Sequence, residues 1–157
     1  MTADEILIAR IKALLLRHEG VKLRAYLDSV GKWTVGVGRN LDDRGLSRPE
    51  VIALLQAMDM PLQIAMKLLD NDIADALADC RSRLPFFDSL NEVRQAACVD
   101  MVFQMGVAGF LKFRKALAAM VIGGWDEAAK ELLDSTWARQ TPARAAEIAD
   151  MIRSGSA

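Results

Sequence analysis

The chain has 157 residues, the length of one domain, and a single core of that size removes about 70% of the unfolded chain's surface from water, so no disulfide or structural metal is needed to hold a fold. A composition of 52% hydrophobic and 26% charged residues excludes disordered and fibrous chains. Formal net charge is −1; residues 1–40 carry seven basic against four acidic groups and residues 41–80 three against eight, so no segment has the strong basic excess of a dedicated nucleic-acid binder.

Thr2-Ala3-Asp4-Glu5 is a capping box ahead of Leu7, Ile8, Ile11, Leu14 and Leu15 at helical spacing, which predicts an amphipathic helix over residues 3–18 ended by Gly20. From Leu23 to Gly38 the pattern changes. Tyr26, Trp33, Thr34, Val35 and Val37 surround the turn cluster Asp28-Ser29-Val30-Gly31, and this reads as a short β-hairpin. Ser47 to Glu50, with Pro49 in the first turn, opens a second helix that runs to about Met58. Asp59 and Pro61 open a long helix to about residue 82 with Leu62, Met66, Leu69, Ile73, Ala76 and Leu77 along one stripe; Asp70, Asp72, Asp75 and Asp79 form a solvated face.

After Pro85, Ser89 to Glu92 reads as a third capping box. The helix that follows, with Val93, Ala96, Ala97, Val99, Met101, Val102 and Phe103, is apolar nearly all round and therefore central and buried. Further helices are predicted over Phe110–Val121, Trp125–Thr136 and Pro142–Arg153, the last with Thr141 as its N-cap. The class is mainly α (α+β) with one small sheet. The expected organisation is a single domain, 1–157, with a small lobe at about 20–59 and a helical lobe at about 60–157 that also takes the N-terminal helix 3–18. A cleft between such lobes is a usual ligand site.

No uncharged stretch reaches the roughly 18 to 20 residues that span a bilayer. Asp4, Glu5, Arg10 and Lys12 interrupt what would be the apolar core of a signal peptide, so the expectation is a cytoplasmic chain without stable membrane insertion. Cys80 and Cys98 lack metal-ligand spacing and read as buried, reduced, small hydrophobes. Gly36-Val37-Gly38 begins like a dinucleotide loop, but the third glycine's place is held by Leu41 and no helix is predicted to follow. One histidine and two scattered cysteines make neither a zinc site nor a triad, so no metal or cofactor is expected. Trp33, Trp125 and Trp137 read as core residues.

The residues that carry chemistry are Glu19 at a helix end, Asp28 on the hairpin nine residues later, and Thr34 six residues beyond. Two carboxyl groups facing each other are what glycoside hydrolysis needs, one protonated for the leaving oxygen and one ionised opposite, while a hydroxyl can hold a water. Acid pairs at this spacing are mostly surface charges, so spacing alone leaves both readings open.

The run from His18 to Gly38 resembles the active-site segment of phage-type lysozymes (glycoside hydrolase family 24, the T-even phage lysozyme group), whose pattern of Glu, eight residues, Asp, five residues, Thr is met by Glu19, Asp28 and Thr34. Phe103-Gln104-Met105-Gly106, Trp125-Asp126-Glu127-Ala128-Ala129, and Trp137 with Gln140-Thr141-Pro142 and Arg144 resemble further family segments in the same order, from about residue 7 to 153. The resemblance implies an endolysin that hydrolyses the β-1,4 bond between N-acetylmuramic acid and N-acetylglucosamine in peptidoglycan with inversion. Within it Glu19 is the general acid, Asp28 the second carboxylate and Thr34 the hydroxyl near the nucleophilic water. Phe103, Gln104, Met105 and Gly36 fall where the family lines the saccharide cleft, and Arg144 where a basic partner sits near the acid. It also implies a monomer that depends on a holin to reach the wall. Its rivals are a lytic transglycosylase and a non-catalytic or tail-associated wall-binding module.

This chain departs from the family's best-known member in its near-neutral charge and in the segment after Gly38. Arg39 stands where that member has histidine and Asp72 of the long helix matches the aspartate that histidine pairs with, so Arg39 and Asp72 read either as a pair or as two independent solvated charges. His18 reads as an exposed helix-end residue.

Overall fold

The computed structural model describes residues 11, 12 and 15–156. Helical residues 11, 12 and 15–19 form α1. They are followed by β1 (Lys22–Leu27), β2 (Trp33–Gly36), β3 (Arg39–Asn40), α2 (Arg48–Ala57), α3 (Leu62–Arg83), a 3₁₀ turn (Phe87–Ser89), α4 (Glu92–Phe110), α5 (Arg114–Val121), α6 (Trp125–Leu133), α7 (Thr136–Gln140) and α8 (Pro142–Ser154). The class is mainly α with one small antiparallel sheet. The chain divides into two units, Met1–Met60 and Pro61–Ala157.

In the first unit the capping box at Thr2–Glu5, with Leu7, Ile8 and Leu14, lies outside the described residues. Gly20 ends α1 at φ +68°, its N–H donating to the Leu16 carbonyl at 3.1 Å. The hairpin forms with Tyr26 opposite Thr34 and Leu27 opposite Trp33. A third strand adds to it: Gly36 and Gly38, at φ +67° and +65°, turn the chain so that β3 pairs antiparallel with β2, in the order β1-β2-β3. A two-residue strand has no period of its own to read, so only the tight turn made by the two glycines exposes it. Ser47 begins α2, and its N–H and hydroxyl both donate to the Glu50 carboxylate, at 2.8 and 2.9 Å.

The second unit is built on α4. Cys98 and Met101 are fully buried in its middle, packed with Cys80 and Leu84 at the end of α3, Phe87 of the 3₁₀ turn, Leu132 of α6 and Ile152 of α8. Burial pushes the Cys98 thiol up to about 12 and the Cys80 thiol to about 11, so both are inert small hydrophobes at neutral pH. Among the described residues, no single helix is long and apolar enough to cross a membrane.

Three boundaries differ from the sequence reading. Ser89 does not cap α4, because its hydroxyl donates to the Phe86 carbonyl at 2.6 Å within the 3₁₀ turn; Asn91 takes the role, accepting from the Arg94 N–H at 3.0 Å. Phe110 ends α4 rather than starting the next helix, which begins at Arg114. The predicted helix from Trp125 stops at Leu133, and Ser135, accepting from the Ala138 N–H, starts the separate α7. Thr141 is the N-cap residue of α8 as predicted, but its hydroxyl donates backward to the Trp137 carbonyl at 3.0 Å and accepts no bond from the first turn of α8. Ser89 and Thr141 both show a short polar side chain bonding the backbone behind it instead of the helix ahead.

The start of α4 and the end of α8 meet at Asn91 and Arg94. Asn91 Nδ2 donates to the Gly155 carbonyl at 2.9 Å, Arg94 Nε donates to the Ile152 carbonyl at 2.8 Å, and the guanidinium lies 3.9 Å above the Trp125 ring. Asn91→Ala removes both a cap and a bridge to the end of α8, so a loss of about 1 to 2 kcal/mol is expected. Ser89→Ala, which removes only an exposed turn bond, should cost clearly less; urea unfolding of the two variants measures the difference.

Candidate active site

Glu19, Asp28, Thr34 and Gly36 belong to the first unit, and Phe103, Gln104, Met105 and Arg144 to the second. Asp28 closes the β1–β2 turn. Its own N–H donates to the Lys32 carbonyl at 2.9 Å and its carbonyl accepts from the Gly31 N–H at 3.1 Å. The Oδ1 atom accepts two more backbone bonds, from Val30 at 3.0 Å and Lys32 at 2.9 Å. A turn that aims two N–H groups at one oxygen favours the ionised form, and the Asp28 carboxyl lies below the ordinary carboxylate range. The Lys32 N–H is the largest cause; partial desolvation opposes it, and the Val30 N–H, the Thr34 hydroxyl and the Lys32 charge add to it.

Thr34 follows on β2, 5% exposed and the one buried polar side chain among the described residues. Its Oγ1 stands 3.5 Å from Asp28 Oδ2 and 3.3 Å from the Lys32 carbonyl. One hydroxyl proton serves two acceptors there, so the oxygen keeps lone pairs with which it can accept a bond from a water beside the carboxylate. The hairpin register therefore places carboxylate and hydroxyl together.

Glu19 is the last helical residue of α1 and is exposed. Its carboxyl lies against Gly38, where a Cβ would fall 2.9 Å from Glu19 Oε2 and 3.1 Å from Cδ. Gly38 is thus required twice, by its φ of +65° and by the approach of the carboxyl. Gly38's contact with Glu19 was not visible in the sequence, where Gly38 stood only at the end of the segment that resembles the family and in a failed dinucleotide loop. Gly36 has no such neighbour within 4 Å, and its part is the turn into β3.

Within the first unit Arg39 pairs with Glu50: Nη2 is 2.8 Å from Glu50 Oε1, and Nη1 donates to the Gly45 carbonyl at 3.3 Å. Glu50 is needed by Ser47 as well, and the Ser47 N–H, the Ser47 hydroxyl and then Arg39 hold its carboxyl at about 2. Trp33 is 48% exposed, not a core residue, while Trp137 is buried as expected.

In the second unit Gln104 is oriented by Trp137, whose indole N–H donates to Oε1 at 2.8 Å. With Oε1 engaged, the amide NH₂ of Gln104 is left to donate elsewhere. Met105 packs over Gly109, where a Cβ would meet its side chain at 3.1 Å, and Gly106 breaks the helical backbone between them at φ +74°. Arg144 Nε donates to Asp100 Oδ1 at 2.8 Å, with both side chains half-buried. The sequence reading missed Asp100, one helical turn before Gln104. Phe103 and Arg144 share a cavity of about 500 Å³ whose apolar wall comes from Leu69, Ile73, Leu77 and Val99.

A carboxylate fixed in its ionised form, a hydroxyl beside it and a second carboxyl at a helix end make a two-acid set suited to glycosidic chemistry. The family model for phage lysozyme matches residues 16–148, a span that includes all of these groups. The chain belongs to the phage lysozyme family. The chain is accordingly a glycoside hydrolase of lysozyme type, with peptidoglycan as its substrate. It is 32% identical to "Probable T4-type lysozyme 1" of Dictyostelium discoideum, over 96% of this chain and 97% of that protein. It is 27% identical to "Probable T4-type lysozyme 2" of the same organism, again over 96% and 97%. It is also 32% identical to the pre-baseplate central spike protein of Enterobacteria phage T4, covering 91% of this chain but only 27% of that protein.

The Gly38 contact yields a test. Gly38→Ala should displace the Glu19 carboxyl and, with Glu19 in the role the family resemblance implies, lower the rate at which permeabilised Gram-negative cells clear by roughly tenfold or more. Gly45→Ala carries similar backbone strain at φ +61° with only the Leu41 carbonyl near, at 3.7 Å, and should retain most of the activity.

Proposed function

We propose that this lysozyme hydrolyses the β-1,4 bond between N-acetylmuramic acid and N-acetylglucosamine, with inversion, in the service of host cell lysis. The observation that carries the reading is the Asp28–Thr34 pair: a carboxylate held ionised by the backbone, with a hydroxyl 3.5 Å from its second oxygen. In this reading Glu19 protonates the leaving oxygen as the glycosidic bond breaks. Asp28 accepts a proton from the attacking water, which Thr34 helps to orient. Water attacks the face opposite the leaving group, so a β-linked substrate yields an α-product. The small lobe of about 20–59 and Glu19 carry the chemistry, while Phe103, Gln104 and Met105 of the helical lobe contact saccharide. Arg144, committed to Asp100, supports that surface rather than reacting.

The absence of any step that needs a redox or metal centre makes the proposed reaction cofactor-free. As an endolysin, the protein would act as a monomer and reach the wall through a holin-made pore. The similarity to the phage T4 central spike protein favours a second reading, a non-catalytic or tail-associated peptidoglycan-binding module. The two readings part on whether the protein is found free in infected cells or on the particle.

Glu19→Gln keeps the shape of the side chain and removes the acidic proton, so lysis should vanish while the circular dichroism spectrum stays that of the parent. Substantial lysis by the folded variant would overturn the assignment. Mass analysis of digested peptidoglycan should show reducing ends, whereas anhydro-sugars would identify a transglycosylase. Early NMR spectra should show the α-anomer first; an initial β-anomer would make Asp28 a nucleophile.

A further inference from the structure

Two of the bonds that orient Asp28 are made by Lys32. The Lys32 N–H donates to Asp28 Oδ1, and its carbonyl accepts from both the Asp28 N–H and the Thr34 hydroxyl. Lys32 and its neighbour Trp33 are held in turn by the loop after β3. The Trp33 N–H donates to Asp42 Oδ2 at 2.8 Å, the Trp33 carbonyl accepts from the Leu41 N–H at 2.7 Å, and Lys32 Nζ lies 2.6 Å from both Asp43 carboxylate oxygens.

The loop is itself preorganised. Asn40 Oδ1 accepts from the N–H groups of Asp42 and Asp43, each at 3.0 Å, and the Asn40 carbonyl accepts from the Arg44 N–H at 3.2 Å. The β2–β3 pairing ends at Thr34 opposite Asn40, so the Asp42 side chain continues it, standing where a further strand residue would offer a carbonyl. Trp33 is half-exposed. Without Asp42 its N–H turns to water and the Lys32–Trp33 segment is tied on that edge only through Leu41 and an exposed ion pair, which contributes little by itself.

We propose that Asp42 is a positioning residue for the Asp28–Thr34 pair, acting through Trp33 and the Lys32 backbone, with Asp43 as a weaker second anchor on the Lys32 side chain. This rests on the reading of Asp28 as the second carboxylate. The expectation is that loosening the strap disorders the Lys32 N–H and carbonyl, so that Asp28 loses its best donor and Thr34 its nearer acceptor. Charges facing the Asp28 carboxyl within this unit are Lys32 across the turn and, beyond it, Asp42 and Asp43, so the variants must separate hydrogen bonding from charge. Asp42→Asn does so, because it removes the charge and retains an acceptor oxygen.

The test compares Asp42→Ala, Asp42→Asn and Asp43→Asn in the full chain. It uses steady-state kinetics on soluble peptidoglycan fragments and ¹³C NMR titration of the Asp28 carboxyl. Asp42→Ala should lower kcat by about tenfold with KM little changed, and the Asp28 titration should move up toward the ordinary carboxylate range. Asp42→Asn should recover most of both, and Asp43→Asn should have the smallest effect. The proposal is overturned if Asp42→Ala leaves kcat and the Asp28 titration as they were, or if Asp42→Asn is as impaired as Asp42→Ala, which would make charge the operative property. Should Asp42→Ala fail to fold, Asp42→Asn against Asp42→Ser, which shortens the acceptor's reach, decides the same question. Asp28→Asn serves as the reference: if that variant keeps full activity, the role of Asp28 fails while the titration still reports whether the strap holds it.

Discussion

The turn closed by Asp28 is the constraint on which the first unit depends. One oxygen receives two backbone N–H groups and the residue's own backbone makes two further bonds, so the turn, the hairpin register and the protonation state of the carboxyl are a single arrangement. Changing any part changes the others. Register then decides chemistry: Tyr26 pairs with Thr34, which puts the Thr34 hydroxyl two residues past Lys32 and beside the free oxygen of Asp28. A slip of one residue would send that side chain to the other face of the sheet.

Glycine carries the second constraint. β3 returns alongside β2 only because Gly36 and Gly38 adopt backbone angles that side chains disfavour, and the same Gly38 leaves room for the Glu19 carboxyl. Asp28, by contrast, is surrounded by donors that favour its ionised form.

In the second unit, polar side chains near α4 are tied down by the fold itself. Trp137 takes the side-chain carbonyl of Gln104, Asp100 takes Arg144, and Asn91 and Arg94 hold the end of α8. These bonds fix the rotamers of long side chains that would otherwise be free. Beneath them lies a core of close-packed side chains, Cys98 and Met101 among them, whose thiols and thioethers serve as filling rather than as chemistry.

Much of this was legible from the amino-acid sequence. Helical periodicity located α3, α4, α6 and α8 because their apolar stripes repeat over several turns, and the Asp28–Gly31 cluster located the hairpin because turn residues act within four positions. The pattern of Glu19, Asp28 and Thr34 marked the candidate carboxyl groups and hydroxyl through family resemblance, not through any spacing rule. What the sequence could not settle were choices between nearby partners. Ser89 or Asn91 as the cap of α4, and Thr141 bonding forward or backward, each offered comparable local bonds, and the outcome depended on which backbone groups were left to satisfy. The same holds for Asp42 at the Trp33 N–H and Gly38 under Glu19, contacts nine and nineteen residues apart in sequence. No local propensity encodes them, because they exist only once the sheet and α1 have brought the two segments within bonding distance.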